Sequence, residues 1–137
     1  LAGVLRLIRG PAGRGQFSHD SELLKTRIAR ARMDLDTMAA LIGQCLRDLE
    51  TCADVEAIPV QLRLNALKVY TSERSFHVLD TLVELVGLRH GYMRGAPLGL
   101  ERVFRDLRSA SLNFANDRLI LTNGALALLD QEVHLAY

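Results

Sequence analysis

Glu73 and His77 come nearest in this sequence to a metal-ligand pair. A carboxylate-bridged di-iron centre in a helical bundle takes Glu-x-x-His, which projects both ligands from one face at i and i+3. Glu73 and His77 are four apart and no second pair accompanies them, so no metal is expected. His19, His77, His90 and His134 are scattered and read as surface or hydrogen-bonded core groups. A nucleophile is equally hard to find, because no glycine-flanked serine elbow occurs and neither Cys45 nor Cys52 has a plausible histidine partner. The two cysteines form no CxxC pair and no Cys/His cluster, as in a reduced cytoplasmic protein. The densest basic stretch, Arg27, Arg30 and Arg32, lies beside Asp34 and Asp36 in an amphipathic run and reads as a solvated helix face.

The elements that must hold any site are helical. A long helix is predicted after Ser18 or Asp20, either of which can cap it, because Leu24, Ile28, Ala31, Leu35, Met38, Ile42, Cys45 and Leu49 recur every three or four residues. Residues 1–9 read as the last turns of another helix, closed by Gly10-Pro11 and a loop through Gly13 and Gly15. After a break at 51–59, Leu64, Leu67, Thr71, Arg74, Val78, Thr81 and Leu85 trace one face, and Leu62, Val69, Phe76 and Val83 a second. A helix apolar on two sides is the central member of a bundle. Gly87, Gly91, Gly95, Pro97 and Gly99 punctuate a flexible loop, followed by a short helix over 101–108 and a last one from Asn116 to Leu135 carrying Leu119, Leu121, Leu126 and Leu129. The predicted fold is all-α, an up-and-down helical bundle forming one domain over 1–137.

Composition agrees. With 49% hydrophobic, 24% charged and 5% aromatic residues and 3 prolines, the chain is unlike a sandwich or barrel. A net charge of +1, from 17 basic and 16 acidic residues, creates no broad field for nucleic acid. No segment approaches the roughly 20 apolar residues that span a bilayer, and no signal-peptide pattern opens the chain. The apolar start Leu1, Val4, Leu5 and Ile8 reads as a piece of a longer polypeptide.

Three stretches together carry a likeness. They are Arg14-Gly15-Gln16-Phe17, Val86-Gly87-Leu88-Arg89-His90-Gly91-Tyr92, and Leu100-Glu101-Arg102-Val103-Phe104-Arg105-Asp106. In one register over about 14–129, the sequence resembles the C-terminal domain of acyl-CoA dehydrogenases. That family has an Arg-x-x-Phe element, a Gly-Gly-x-Gly-aromatic loop and an aromatic-Arg-Asp signature. The resemblance implies FAD as cofactor, an acyl thioester of coenzyme A or a carrier protein as substrate, and α,β-dehydrogenation of it. It implies a homo-oligomer, or a hetero-oligomer with a related subunit, since Arg-x-x-Phe approaches the flavin of the neighbouring subunit. On this likeness Arg14 pairs with the pyrophosphate and Phe17 packs beside the dinucleotide, while Gly91 lets backbone come close to it. Asn116 completes the cofactor-binding set.

The departures are as informative. Leu88-Arg89 replaces the glycine pair, Glu84 or Leu85 stands where a glutamine precedes the loop, and Ser18 follows Phe17 in place of glycine. Where many members have aromatic-Glu-Gly-Thr, with Glu as the base for the α-proton, this chain has Asn113-Phe114-Ala115-Asn116-Asp117. Neither Phe114 nor Ala115 supplies a carboxylate, and Asp117 is the one acid nearby. Each residue also has a structural reading: Arg14 as a loop arginine, Phe17 as a staple on the long helix, Gly91 as a helix stop, Asn116 or Asp117 as a helix cap, Arg105-Asp106 as an ion pair or cap. The chain alone is not expected to be active. The alternatives are a catalytically silent relative, or a helical interaction module, acting in subunit association.

Overall fold

The computed structural model describes residues 1–113 and 115–130. Six α-helices follow one another: α1 (Ala2–Arg9), α2 (Pro11–Arg14), α3 (Glu22–Thr51), α4 (Ile58–Gly87), α5 (Leu100–Leu112) and α6 (Asn116–Leu129). A π-helical turn, Leu88–Tyr92, continues α4. No strand occurs among the described residues, and the fold is the all-α one that the apolar periodicity predicts.

The spine is an antiparallel pair of 30-residue helices, α3 and α4. The buried positions of α3 are Leu24, Ala31, Met38 and Cys45, one every seven residues. Ser72, Leu79 and Val86 repeat the same interval on α4, with Val78 and Leu82 beside them. A seven-residue repeat holds one seam toward a partner when two helices wrap slightly around each other. Three ion pairs cross the seam in a single register, Arg27 with Glu84 at 3.5 Å, Asp34 with Arg74 at 2.6 Å, and Asp48 with Arg63. The intermediate stripe positions fare differently: Ile28 and Leu35 pack at the edge of the core, whereas Ile42 and Leu49 are 44% and 37% exposed. Near this end of α3 the principal neighbour is α4, so only one position per heptad is covered.

Val4 and Ile8 of α1 are buried against Leu24, Val78, Leu82 and Val86, closing one end of the seam. Helix α4 packs against α3, α5, α6 and the π turn, as its two apolar faces require. On the second of these faces Phe76 meets Phe104 of α5, ring centroids 4.6 Å apart.

Several predicted boundaries shift. Ser21, rather than Ser18 or Asp20, caps α3, its Oγ accepting the Leu24 N–H at 3.3 Å. Ser18 is occupied in the preceding turn, where its carbonyl accepts the Ser21 N–H. The expected loop after Gly10 is one helical turn, α2, with Pro11 at its start, where no N–H is needed. The first part of the expected flexible loop is the π turn, with the Met93 N–H donating to Leu88 O at 2.9 Å. Helix α5 runs longer than predicted, to Leu112, and α6 is described to Leu129; the predicted extension to Leu135, and His134, lie outside the described residues.

Helix α6 turns polar residues inward. Asn123 donates to Leu62 O at 3.1 Å and accepts from Asn65 at 2.9 Å, both on α4. Leu119 and Leu126 are half-buried, while Ile120, Leu121, Leu128 and Leu129 are 52%, 76%, 90% and 64% exposed. Among the described residues no helix is long and apolar enough to cross a membrane.

Candidate functional site

The segment after α1 folds back sharply because of Gly13. Its backbone rests on the carbonyl end of α1, so a Cβ there would strike Leu7 O and come within 2.6 Å of Ile8 O and 2.8 Å of Ile8 Cα. With that approach made, the Gln16 and Phe17 N–H groups donate to Gly13 O at 2.9 and 2.8 Å. Phe17 is thereby half-buried against the core, and Arg14 stays exposed. Both line an open depression of about 570 Å³ together with Arg9, Ser18 and His19. His19 Nε2 lies 3.3 Å from Ile8 O. A carbonyl only accepts, so Nε2 is the protonated nitrogen and the ring is fixed at the rim.

The π turn arrives beside this segment. His90 Nε2 lies 3.2 Å from Gln16 Oε1, joining residues 74 apart in sequence. The amide oxygen accepts, so His90 Nε2 donates. Nδ1 is buried with no hydrogen-bond partner among the described residues, as is Nε of Arg74. Gly91 is buried, and a Cβ on it would come within 2.7 Å of Val86 Cγ2, so the close approach that its bareness permits is to α4. That contact lays the turn flat and brings His90 to Gln16. On the other side Tyr92 meets the Phe104 ring edge-on, centroids 6.4 Å apart, and Arg108 lies 5.5 Å over Phe76. The glycine-aromatic and aromatic-Arg-Asp stretches are therefore one packed unit. A second depression of about 470 Å³ opens there, lined by Tyr92, Arg94, Glu101, Phe104 and Arg105. Arg105 pairs with Glu101 at 3.2 Å instead of Asp106, because residues four apart share a helix face and adjacent ones diverge.

The family model for the acyl-CoA dehydrogenase C-terminal domain matches residues 2–113. The chain belongs to that family. No curated protein and no solved structure matches it. The matched residues run from α1 through α5, so the Arg14 depression and the π turn lie within the acyl-CoA dehydrogenase domain proper, and α6 lies beyond the match.

The remaining candidates sit elsewhere on the bundle, beyond the matched residues. Asn116 Oδ1 accepts from Lys68 Nζ at 2.5 Å, and Asn116 Nδ2 donates to Ser72 Oγ and Glu73 Oε1, each at 3.1 Å. The predicted Asn116 or Asp117 cap is absent: Ala115 holds the cap position without a side-chain bond, and Asn116 is the first helical residue, its amide committed to α4. Asp117 is exposed in the first turn, Ala115 carries no carboxylate, and Phe114 lies outside the described residues. From Ser72 to Gly87, α4 rises about 22 Å. Arg14, Phe17 and Gly91 thus gather at one end of the bundle, and Asn116 and Asp117 stand well apart from them.

Two perturbed groups lie far along α3 and are structural. The Asp48 carboxyl is held below the usual carboxylate range, first by the Gln44 hydrogen bond and then by Arg63. Burial, then the Asp48 charge, pushes the Cys45 thiol up. No group of three His, Cys, Asp or Glu suited to a metal occurs among the described residues. Arg9, Ser18 and His19 line the same hollow as Arg14, a grouping the sequence does not show because no spacing rule links them before the chain doubles back at Gly13.

Proposed function

We propose that this acyl-CoA dehydrogenase domain belongs to an FAD-dependent enzyme that oxidises an acyl thioester, and that its own share of the work is to hold the dinucleotide and the subunit contacts. The reading rests on one observation, the convergence of Arg14, Phe17 and the His90-Gly91 turn at one end of the bundle through the Gln16–His90 bond. The chemistry of the donors fits the cofactor. Arg14 offers paired N–H donors to a pyrophosphate, Phe17 a flat wall and Ser18 a hydroxyl. When bound, FAD supplies the hydride acceptor for oxidation of the Cα–Cβ bond. Asn116 is committed to Lys68, Ser72 and Glu73, and neither Phe114 nor Ala115 is an acid, so on this reading the carboxylate that takes the α-proton is supplied by another part of the polypeptide. The exposed leucines of α6 serve subunit association, consistent with the small share of α6 that its own bundle covers.

The test is flavin content. The full-length polypeptide carrying this domain should purify with FAD, and Arg14→Gln should lower flavin retention about tenfold with helix content unchanged. The 137-residue chain alone, offering one wall, should not hold a full equivalent. A full-length polypeptide that neither carries FAD nor takes it up from excess overturns the reading and favours the second one, a catalytically silent relative. Phe114 or Ala115 at the position of the family's base, with the outward leucines of α6, is the observation behind that alternative.

A further inference from the structure

Helix α6 pairs its asparagines with α4 and turns its other face outward. From Leu119 to Leu129 it holds no charged residue, so neither face is built to meet water. Leu121, Gly124, Ala125 and Leu128 recur every three or four residues and form one exposed stripe, edged by Ile120 and Leu129. A glycine weakens a helix interior, and what it offers in return is room for a close approach. At Gly124 nothing in this chain uses that room: an added Cβ would meet no atom within 4 Å among the described residues. Ile120, Leu121, Leu128 and Leu129 leave on the order of 500 Å² of apolar surface open, so a symmetric pair covers about 1,000 Å², the size at which an interface becomes specific.

We propose that α6 pairs antiparallel with α6 of a second copy of this chain, about a twofold axis at Gly124, with Leu121 of each copy packed on Leu128 of the other. The proposal rests on the reading that the outward leucines of α6 serve subunit association, and it names the occupant and the register. Without a Cβ at Gly124 and with only a methyl at Ala125, the two backbones come close at the axis and the leucines close over them. The stripe carries no charge by which a foreign helix would be selected. Charge lies only at its ends, Asp117 and Arg118 before it and Asp130 after it. Arg118 and Asp130 each stand six residues from Gly124, and among the described residues no carboxylate holds Arg118. Antiparallel copies bring Arg118 of one to Asp130 of the other, twice, and oppose the helix dipoles, whereas parallel copies set like ends together. Helix α6 lies beyond the family-matched residues, and the pairing follows from this chain's own side chains.

Sedimentation velocity of the chain across the micromolar range tests this, and a dimer is expected. Leu121→Glu should weaken it at least about tenfold, because a carboxylate then faces an apolar neighbour. Position 121 is 76% exposed and position 128 is 90% exposed, so helix content by circular dichroism should not change in either variant. Adding Leu128→Lys should recover most of the loss, since antiparallel copies set the new carboxylate against the new ammonium and parallel copies set like against like. Gly124→Leu should weaken the dimer about tenfold although it adds apolar surface, because side chains then hold the backbones apart. A monomer throughout overturns the inference. So does a dimer that keeps its strength in Leu121→Glu, which places association elsewhere on the bundle. A double variant no tighter than Leu121→Glu overturns the antiparallel register, and a tighter dimer in Gly124→Leu overturns the close approach. The flavin content of the full-length polypeptide judges the enzyme reading independently of these outcomes.

Discussion

Replacing Gly13 and Gly15 by alanine, one at a time, should have opposite effects although the two are only two residues apart. Gly13 is buried, and an added methyl would press on the carbonyls of Leu7 and Ile8 and on Ile8 Cα, all backbone atoms of α1. A clash with a flexible side chain is relieved by rotation; here α1 must move away from α2 or the fold-back must open. Overpacking of a tight site costs about 1–3 kcal/mol, and a backbone obstacle places Gly13→Ala near 3 kcal/mol. For a chain of this size that is a drop of about 12 °C in Tm, at about 4 °C per kcal/mol. Gly15 has helical backbone angles, φ −86 and ψ −13, and nothing within 4 Å of a built Cβ. Gly15→Ala should be neutral or stabilising by about 0.4–1 kcal/mol, through the smaller freedom of the unfolded chain. Urea and thermal melts of both variants decide the matter. A Gly13→Ala protein within about 0.5 kcal/mol of wild type would refute the idea that this close approach sets the position of Arg14 and Phe17.

Three further outcomes are expected. Asp48 has a lowered pKa when folded, so its stabilising contribution is complete above the unfolded value near 3.9 and is lost as pH falls through the folded value. Asp48→Asn should therefore cost most near neutrality, with the gap to wild type closing below about pH 4; a gap that urea melts find constant with pH would contradict this. At neutral pH a water-soluble disulfide reagent should modify Cys52 at least about tenfold faster than Cys45, whose thiol is buried and pushed up by desolvation, and equal rates by mass spectrometry would contradict the seam. Under the proposed function, Asp117→Asn in the flavin-loaded polypeptide should leave α-proton exchange of the thioester nearly unchanged, whereas loss of a true base costs about 10²–10⁴ in rate.

Much of the fold is legible because it repeats locally. Leu24, Ala31, Met38 and Cys45 announce the seam of α3, and the two faces of α4 announce its several neighbours. The caps were harder, because Ser18, Asp20 and Ser21 all have the right side-chain oxygen and only the preceding turn decides among them. The same ambiguity misassigned Asn116, a competent cap whose amide finds three partners on α4 instead. Arg14 and Phe17 were visible through a motif. Arg9 and His19 were not, since the hollow they share with Arg14 exists only after Gly13 reverses the chain, and the approach of His90 to Gln16 spans 74 positions that no local pattern connects.

The order in which the α3–α4 seam closes follows from its connectivity. The two helices are consecutive, joined by residues 52–57, so contacts near that turn enclose short loops and those at the far end long ones. Loop closure favours the Asp48–Arg63 pair first and the Arg27–Glu84 pair last, as a zipper started at the hinge. The Arg14 hollow sits at the late-closing end, with α1 resting on the final turns of the seam. Buried contacts are densest at that late-closing end, so amide exchange at Val86 should be slower than in the last turns of α3, where Ile42, Leu46 and Leu49 stand exposed. The Arg14 hollow is then carried by the best-packed part of the molecule, although that part is the last to close.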